Sequence, residues 1–426
     1  MSGSTEHAVS TGSGQTAAAA APELEQHCRT IAKEVLEGKV VPVLGAGVNV
    51  CEREPAAEWG PTDLPSSAEL ARYLADHSAY EPELYKRTGT GPNEYEPIFD
   101  LVKVAQYVEL AKGTLPLHEA LHEVFTRTYR PTVVHRFLAR LAKVVPSDYP
   151  LLLLTTNYDD ALEQALREVD VAYDLVTYVT DYPERTRGYF THSSWQPGDE
   201  EESKPVAIAR AKAYTNLLET RPAIVKIHGA TRRKRTVDED NYVITEDDHI
   251  DFLVHKDATR SLPIAVAERL PRSHFLFLGY ALKDWNLRVL LRKIWREQRR
   301  TAKSWSVRLD ADEMEDHWWE KQGVSTLRHP LSSYILTLRG ACLSDLVESF
   351  YSRETPESQR TLEGTEAVAL FERLSEVDTW ETVSRGVPTE HVRAVLDDRI
   401  SATLPDALLE EIRRRIQMQS GPRTDD

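Results

Sequence analysis

A parallel α/β sheet with helices on both faces is what this sequence predicts, on three observations. Short apolar runs recur at VVPVL, PLLLLTTN, AIVKIHG and HFLFLGY. Stretches with apolar residues at helical spacing separate them. Each run empties into a glycine or a polar cluster, as strands do at the ligand-binding rim of an open sheet.

Taken in order, residues 1–22 are rich in Ser, Gly, Thr and Ala without an apolar period and are expected to form a disordered leader. Residues 23–37 set Leu24, Ile31, Val35 and Leu36 roughly on one helical face, with Gly38 as the stop. The first strand ends in Gly45, Ala46 and Gly47. Helices are expected over 66–77 and, in several pieces, over 97–145, where Leu101, Val104, Ala105 and Val108, then Leu117, Leu121, Val124 and Phe125, keep helical spacing. The second strand ends at Thr155, Thr156 and Asn157, and DDALEQALREV resumes helix with acidic residues where the helix dipole favours them. A third strand covers 223–229 and a fourth 274–280, the latter followed by the helix DWNLRVLLRKIWREQ. Between the second and third, residues 180–221 read as a polar loop too long for a plain connection: a lid, a partner contact or a disordered segment. Beyond residue 354 only charged helical patterns remain, so 23–354 is expected to be one α/β domain and 355–426 a helical C-terminal appendage.

The 426 residues carry a formal net charge of −16, which repels phosphate backbones and anionic membranes and argues against direct nucleic-acid binding. Two basic clusters, TRRKRT (231–236) and LRKIWREQRR (291–300), read as solvated faces rather than anion sites. No run of about 18 apolar residues and no signal-peptide pattern occurs, so a soluble cytoplasmic protein is expected. Three scattered cysteines, Cys28, Cys51 and Cys342, exclude a disulfide framework and a four-cysteine zinc module, and no ligand set for a catalytic metal is apparent.

Gly45-Ala46-Gly47 after a strand is a setting in which backbone amides can approach a pyrophosphate. A plain tight turn reads equally well there. The chain lacks GxxxxGK[ST], and Val50 stands where a dinucleotide fingerprint has its third glycine. Asn157 suits either a turn or a ligand contact, and Asp159 either a helix cap or a site acid. His228 closes an apolar strand before Gly229, which is expected to leave its imidazole accessible as a general base.

GAG, TTNYD, KIHG and FLGYALKDW, in that order and each at a strand end, resemble the sirtuin superfamily over about residues 30–350. FLGYALKDWNLRVLLRKIW further resembles divergent bacterial sirtuin-like domains of antiphage defence, in which NAD is hydrolysed outright. The resemblance implies a Rossmann-like domain with NAD as substrate and no metal. By it, Gly45, Ala46 and Gly47 contact the pyrophosphate, Asn157 and Asp159 the nicotinamide ribose, and Gly279 and Tyr280 lie near the adenosine, with His228 as base. Asn49 and Thr156 belong to the same NAD-binding set but depart from the family pattern, Asn49 at the serine position of GAGxS and Thr156 at the glutamine of TQN. The PDFR segment is missing from NVCEREPAAEWGPTDLP, so the peptide-handling side is altered.

The activity so implied is cleavage of the nicotinamide–ribose bond to nicotinamide and ADP-ribose or a cyclic form. ADP-ribosyl transfer or deacylation, a non-catalytic NAD or ADP-ribose sensor, and a scaffold for an ATPase or nuclease partner are the rivals. A toxic NAD hydrolase needs restraint, which points to homo-oligomerisation, a partner ATPase or a phage-derived activator. In the appendage Leu404, Leu408, Ile412 and Ile416 form an apolar stripe that must be buried somewhere. Truncation after residue 354 is therefore expected to give a folded protein of smaller assembly size in light scattering, with altered NAD turnover. A truncated protein that aggregates, or that keeps both properties, contradicts an assembly role.

Overall fold

The computed structural model describes residues 13–351 except 55–56, 82, 87–94, 181–187, 209–216, 234–239, 255–261, 281–286, 293–302 and 310–312. The C-terminal appendage, residues 1–12 and most of the second basic cluster lie outside the described residues. Helix α1 (Ser13–Leu36) starts ahead of the expected position. The run Ala17–Ala21 has the highest helix propensity of any residue type, and the helix continues through Pro22 at the loss of one intrahelical bond. Of the expected structureless stretch 1–22, residues 13–22 are thus helical and residues 1–12 lie outside the described residues.

Strand β1 (Val40–Leu44) follows, then α2 (Ser67–Asp76), a small hairpin of β2 (Glu83–Lys86) and β3 (Tyr95–Ile98), and the helices α3 (Leu101–Lys112), α4 (Thr114–Phe125) and α5 (Val133–Val144). Next come β4 (Leu152–Thr155), α6 (Ala161–Glu168), β5 (Tyr173–Thr180), β6 (Gly188–Trp195), β7 (Val206–Ala207), β8 (Ala223–Lys226), and a short arm of β9 (Gly229–Ala230) on β10 (Asn241–Tyr242). The described chain closes with α7 (Glu246–Val254), α8 (Ile264–Arg269), β11 (His274–Leu278), β12 (Ser304–Arg308), the helix Glu313–Lys321, β13 (Val324–Arg328) and the long helix Leu331–Tyr351.

Nine strands form the main sheet in the order β13-β12-β11-β1-β4-β8-β5-β6-β7, parallel from β13 to β5 and antiparallel over β6 and β7. The Rossmann-like α/β architecture is as expected. Alternate strand residues feed opposite faces: Leu44, Leu153, Ile224 and Leu278 join one apolar cluster with α1, α5 and the last helix, while Val43, Leu154, Val225 and Phe277 join another with α7 and α8. A third cluster holds α2, α3 and α4 together as a helical lobe, touching the sheet's rim through Ala161, Tyr242 and Ile244. Pro42 is tolerated in the central strand because β4 pairs with β1 only from Val43 onward.

The reading of 180–221 as one loop is corrected. Its N-terminal part extends the sheet as β6 and β7, paired with a strand β5 that the apolar-run criterion missed. Polar residues interrupt β5 and β6, and β7 is only two residues long; β6 and β7 form an antiparallel edge that leaves part of their surface solvated, so no continuous apolar run marks these strands. Strands β12 and β13, with sequences SWSVR and VSTLR, escaped because serine, threonine and arginine interrupt their apolar pattern, although β12 is buried along its length and only β13 lies at the sheet's parallel edge.

The chain order reverses at β1, which lies between β4 and β11. At that switch point the two exit loops meet backbone to backbone. A Cβ on Gly45 would lie 2.8 Å from the Gly279 carbonyl oxygen, and one on Gly47 would lie 2.7 Å from it. Gly279 itself has φ +58°. Gly47→Ala is expected to force these loops apart and lower unfolding stability by about 1–3 kcal/mol, the usual cost of overpacking. Urea melts of the two proteins measure it, and an unchanged midpoint would show that the loops yield freely.

Candidate active site

The carboxyl ends of β1, β4, β8 and β11 form one rim. After β1 the Gly45 amide donates to the Leu278 carbonyl at 3.1 Å, that of Gly47 to the Gly279 carbonyl at 2.9 Å, and that of Val48 to the Gly45 carbonyl at 3.1 Å. The Ala46 amide takes no part in these bonds. The glycines thus answer first to loop packing, and a short 3-10 turn (Ala46–Val50) carries the chain to Asn49.

Asn49 Nδ2 donates to Asp159 Oδ2 at 2.8 Å. Asn157 Nδ2 donates to the Gly45 carbonyl at 3.3 Å and, at the limit of hydrogen-bond range, to Asn49 Oδ1 at 3.5 Å. The Asn157 carboxamide oxygen is in none of these bonds. Thr155 Oγ1 accepts from the Asn157 amide at 3.0 Å and donates to the Leu44 carbonyl at 3.3 Å, and the Thr156 amide donates to that carbonyl at 3.2 Å. Gly45, Asn49, Asn157 and Asp159, far apart in sequence, therefore share one hydrogen-bonded chain. Asp159 also accepts from the Ala161 amide at 3.1 Å, closing an Asx turn just ahead of α6, whose N-cap is Asp160, while it orients Asn49.

Residues 151–327 match the family model of the SIR2-like domain. The chain carries a sirtuin-like domain. Domains of this kind act on NAD as substrate, and the match is consistent with an NAD-using enzyme. The matched span holds Thr156, Asn157, Asp159, His228, Gly279 and Tyr280, whereas Gly45, Ala46, Gly47 and Asn49 precede it. No curated protein matches the chain.

In the SIR2-like domain β4 and β8 end side by side at Thr155↔Lys226, and Asn157 and His228 each follow two residues later. The His228 imidazole is only 5% exposed, more enclosed than its place before glycine suggests. It meets the ring of His249 edge to face at 5.4 Å and Phe252 at 6.2 Å, both on α7. Gly229 serves the β9–β10 arm instead of exposing the histidine: its φ is +87°, and a Cβ would fall 2.0 Å from the Asn241 carbonyl oxygen. Tyr280 is buried in the core cluster on the α7 side, its ring against Gly45, and so forms part of the floor of the switch point.

Several site-building residues carried no sequence signal. Arg233, from the basic cluster read as solvated, binds Asp160 through two nitrogens at 2.9 and 3.1 Å and donates to the Thr126 and Arg127 carbonyls at 2.7 Å. Its guanidinium also lies 4.8 Å from the centroid of the Tyr129 ring, whose hydroxyl bonds Asp160. Burial works to raise the Asp160 carboxyl, but Arg233 and the Tyr129 and Gln164 side chains outweigh it and hold it below the usual range. Among the described residues, no group of three or more His, Cys, Asp or Glu is arranged to hold a metal ion, and no helix is long and apolar enough to cross a membrane.

His135 lies under this rim, fully enclosed in α5. Its Nδ1 accepts from the Thr132 amide at 3.1 Å in a capping box, while Thr132 Oγ1 donates to the Val48 carbonyl at 2.9 Å. Burial lowers its pKa to about 4, against a partial pull upward from Asp159, so the ring is neutral. His27 is likewise lowered to about 4, by burial and then by His329. The stability these neutral rings contribute is complete above the ordinary value of 6.5 and is lost as pH falls from there through 4, because the unfolded chain takes up the protons first. His135→Gln preserves a capping box and removes one titration. Its melting temperature is expected to fall less steeply between pH 6.5 and 4 than that of the wild type, and equal slopes would show that His135 is not a contributor.

Proposed function

We propose that the chain is an NAD glycohydrolase. The observation that carries this reading is the hydrogen-bonded chain Gly45–Asn157–Asn49–Asp159 at the switch point, with His228 two residues past the end of the adjacent strand β8. The Ala46 amide is the donor for the pyrophosphate, and the carboxamide of Asn157 holds the ribose hydroxyls or the attacking water. Water adds to the ribose carbon, the nicotinamide nitrogen takes the bonding pair and leaves neutral, and His228 accepts the proton that the water loses. The ribose has oxocarbenium character in the transition state, so positioning supplies much of the rate. Asp159, already engaged by Asn49 and the Ala161 amide, orients this network without touching substrate.

Hydrolysis is favoured over deacylation because three cysteines cannot build the four-cysteine module that shapes an acyl-lysine cleft. NAD depletion in bacterial antiphage defence is the biological setting this activity suits, with assembly, a partner ATPase or a phage component as the restraint.

Nicotinamide release by the purified protein, with and without an acylated peptide, tests the reaction. Wild-type protein is expected to release nicotinamide without peptide, in the presence of EDTA. Asn157→Ala and His228→Ala are each expected to stay folded, by circular dichroism, and to lose roughly a hundredfold or more in turnover. Turnover above about a tenth of wild type in both variants excludes the acid–base assignment. Release that requires the peptide points to deacylation or transfer, and NAD binding without release points to a sensor.

A further inference from the structure

Below the rim lies an ion pair with almost no exposure to solvent. Lys226, the last residue of β8, is 1% exposed, and its Nζ stands 2.7 Å from Oε1 of Glu163 on α6, itself 2% exposed. The same ammonium donates to the main-chain carbonyl of Asp159. The other carboxylate oxygen of Glu163 is buried and has no hydrogen-bond partner among the described residues.

Such a pair is a weak source of stability. Two charges are taken out of water, one acceptor is left unsatisfied, and apolar side chains of similar volume would often serve as well or better. Burial raises the Glu163 carboxyl, with Lys226 opposing it, which is the electrostatic signature of that cost. What the pair does supply is direction. The ammonium is fixed by a helix that starts just after the Asn157–Asp159 turn, and it reaches back to a carbonyl of that turn, whose Asp159 side chain in turn holds Asn49.

We propose that Lys226, anchored by Glu163, is a positioning residue that holds the Asn157–Asp159 turn in the geometry required for NAD cleavage, an inference that rests on the function proposed above. It contacts no reacting atom. Its effect runs through the Asp159 peptide to Asn49 and Asn157.

The test is the full-length double variant Lys226→Met/Glu163→Met, which removes both charges while nearly conserving volume. Its melting temperature is expected to equal or exceed that of the wild type. NAD affinity should stay within about threefold, while kcat falls about a hundredfold, as misplacement by an ångström can produce. Amide hydrogen exchange at Asn157–Ala161 should quicken in the absence of NAD. A folded double variant with wild-type kcat or wild-type exchange at these amides overturns the proposal. If the double variant does not fold, Glu163→Gln keeps the shape but loosens the anchor, and kcat is expected to fall roughly tenfold at constant KM. Wild-type kcat in that variant likewise overturns it. The exchange measurement is independent of NAD chemistry: a wild type that releases no nicotinamide sinks the NAD reading, and exchange still decides whether Lys226 holds the turn.

Discussion

Two loops sharing one space without a Cβ between them set the geometry of this protein. Where β1 and β11 end side by side, Gly45 and Gly47 press on the backbone of Gly279. The contact lets the chain leave both strands at one level, and it aims the short turn after Gly45 at the end of β4. A side chain at any of the three positions would push these loops apart and take Asn49 out of reach of Asp159. The crevice that an open α/β sheet offers at its switch point is therefore shaped here by glycine packing first.

Around that contact, two adjacent buried carboxylates each have their own set of partners. Asp159 and Asp160 are adjacent carboxylates, a repulsive arrangement in a medium that screens charge poorly. They are separated by assignment: Asp159 faces Asn49 and the Ala161 amide, while Asp160 faces Arg233, Tyr129 and Gln164. Arg233 also binds two carbonyls at the end of α4, so the same network fastens the helical lobe to the rim. A satisfied network of this kind fixes one arrangement, whereas the loss of a member leaves an unpaired buried group.

Enclosure of His228 by His249 and Phe252 has a chemical consequence. A side chain shielded from bulk water interacts more strongly with nearby charge, and the fixed groups around it need little reorganisation. The helix that encloses it, α7, begins with its own polar lock, in which Asp248 accepts from the Ile244 and Thr245 amides and its amide donates to Thr245 Oγ1. The wall of the site is thus held by a helix start, not by a free loop.

The sequence by itself determined the parallel core and the rim. Strands β1, β4, β8 and β11 are buried on both faces, and continuous apolar runs ending in GAG, TTN, HG and GY are the direct imprint of that burial. Asn157, Asp159 and His228 could be singled out because each follows such a run closely, where the chain reaches the rim. Strands β5, β6, β7, β12 and β13 were not legible, since polar residues interrupt β5, β6, β12 and β13 even where they are buried, and β7 is only two residues long. The start of α1 at Ser13 was hidden by a serine- and glycine-rich lead and by Pro22. Only the tertiary structure decided which polar groups pair: Lys226 with Glu163, Arg233 with Asp160, and Asn49 with an aspartate 110 residues away. Periodicity records which face of an element is buried, a local property. The partner of a buried polar group depends on how distant elements cross, and nothing in the spacing of residues along the chain encodes it.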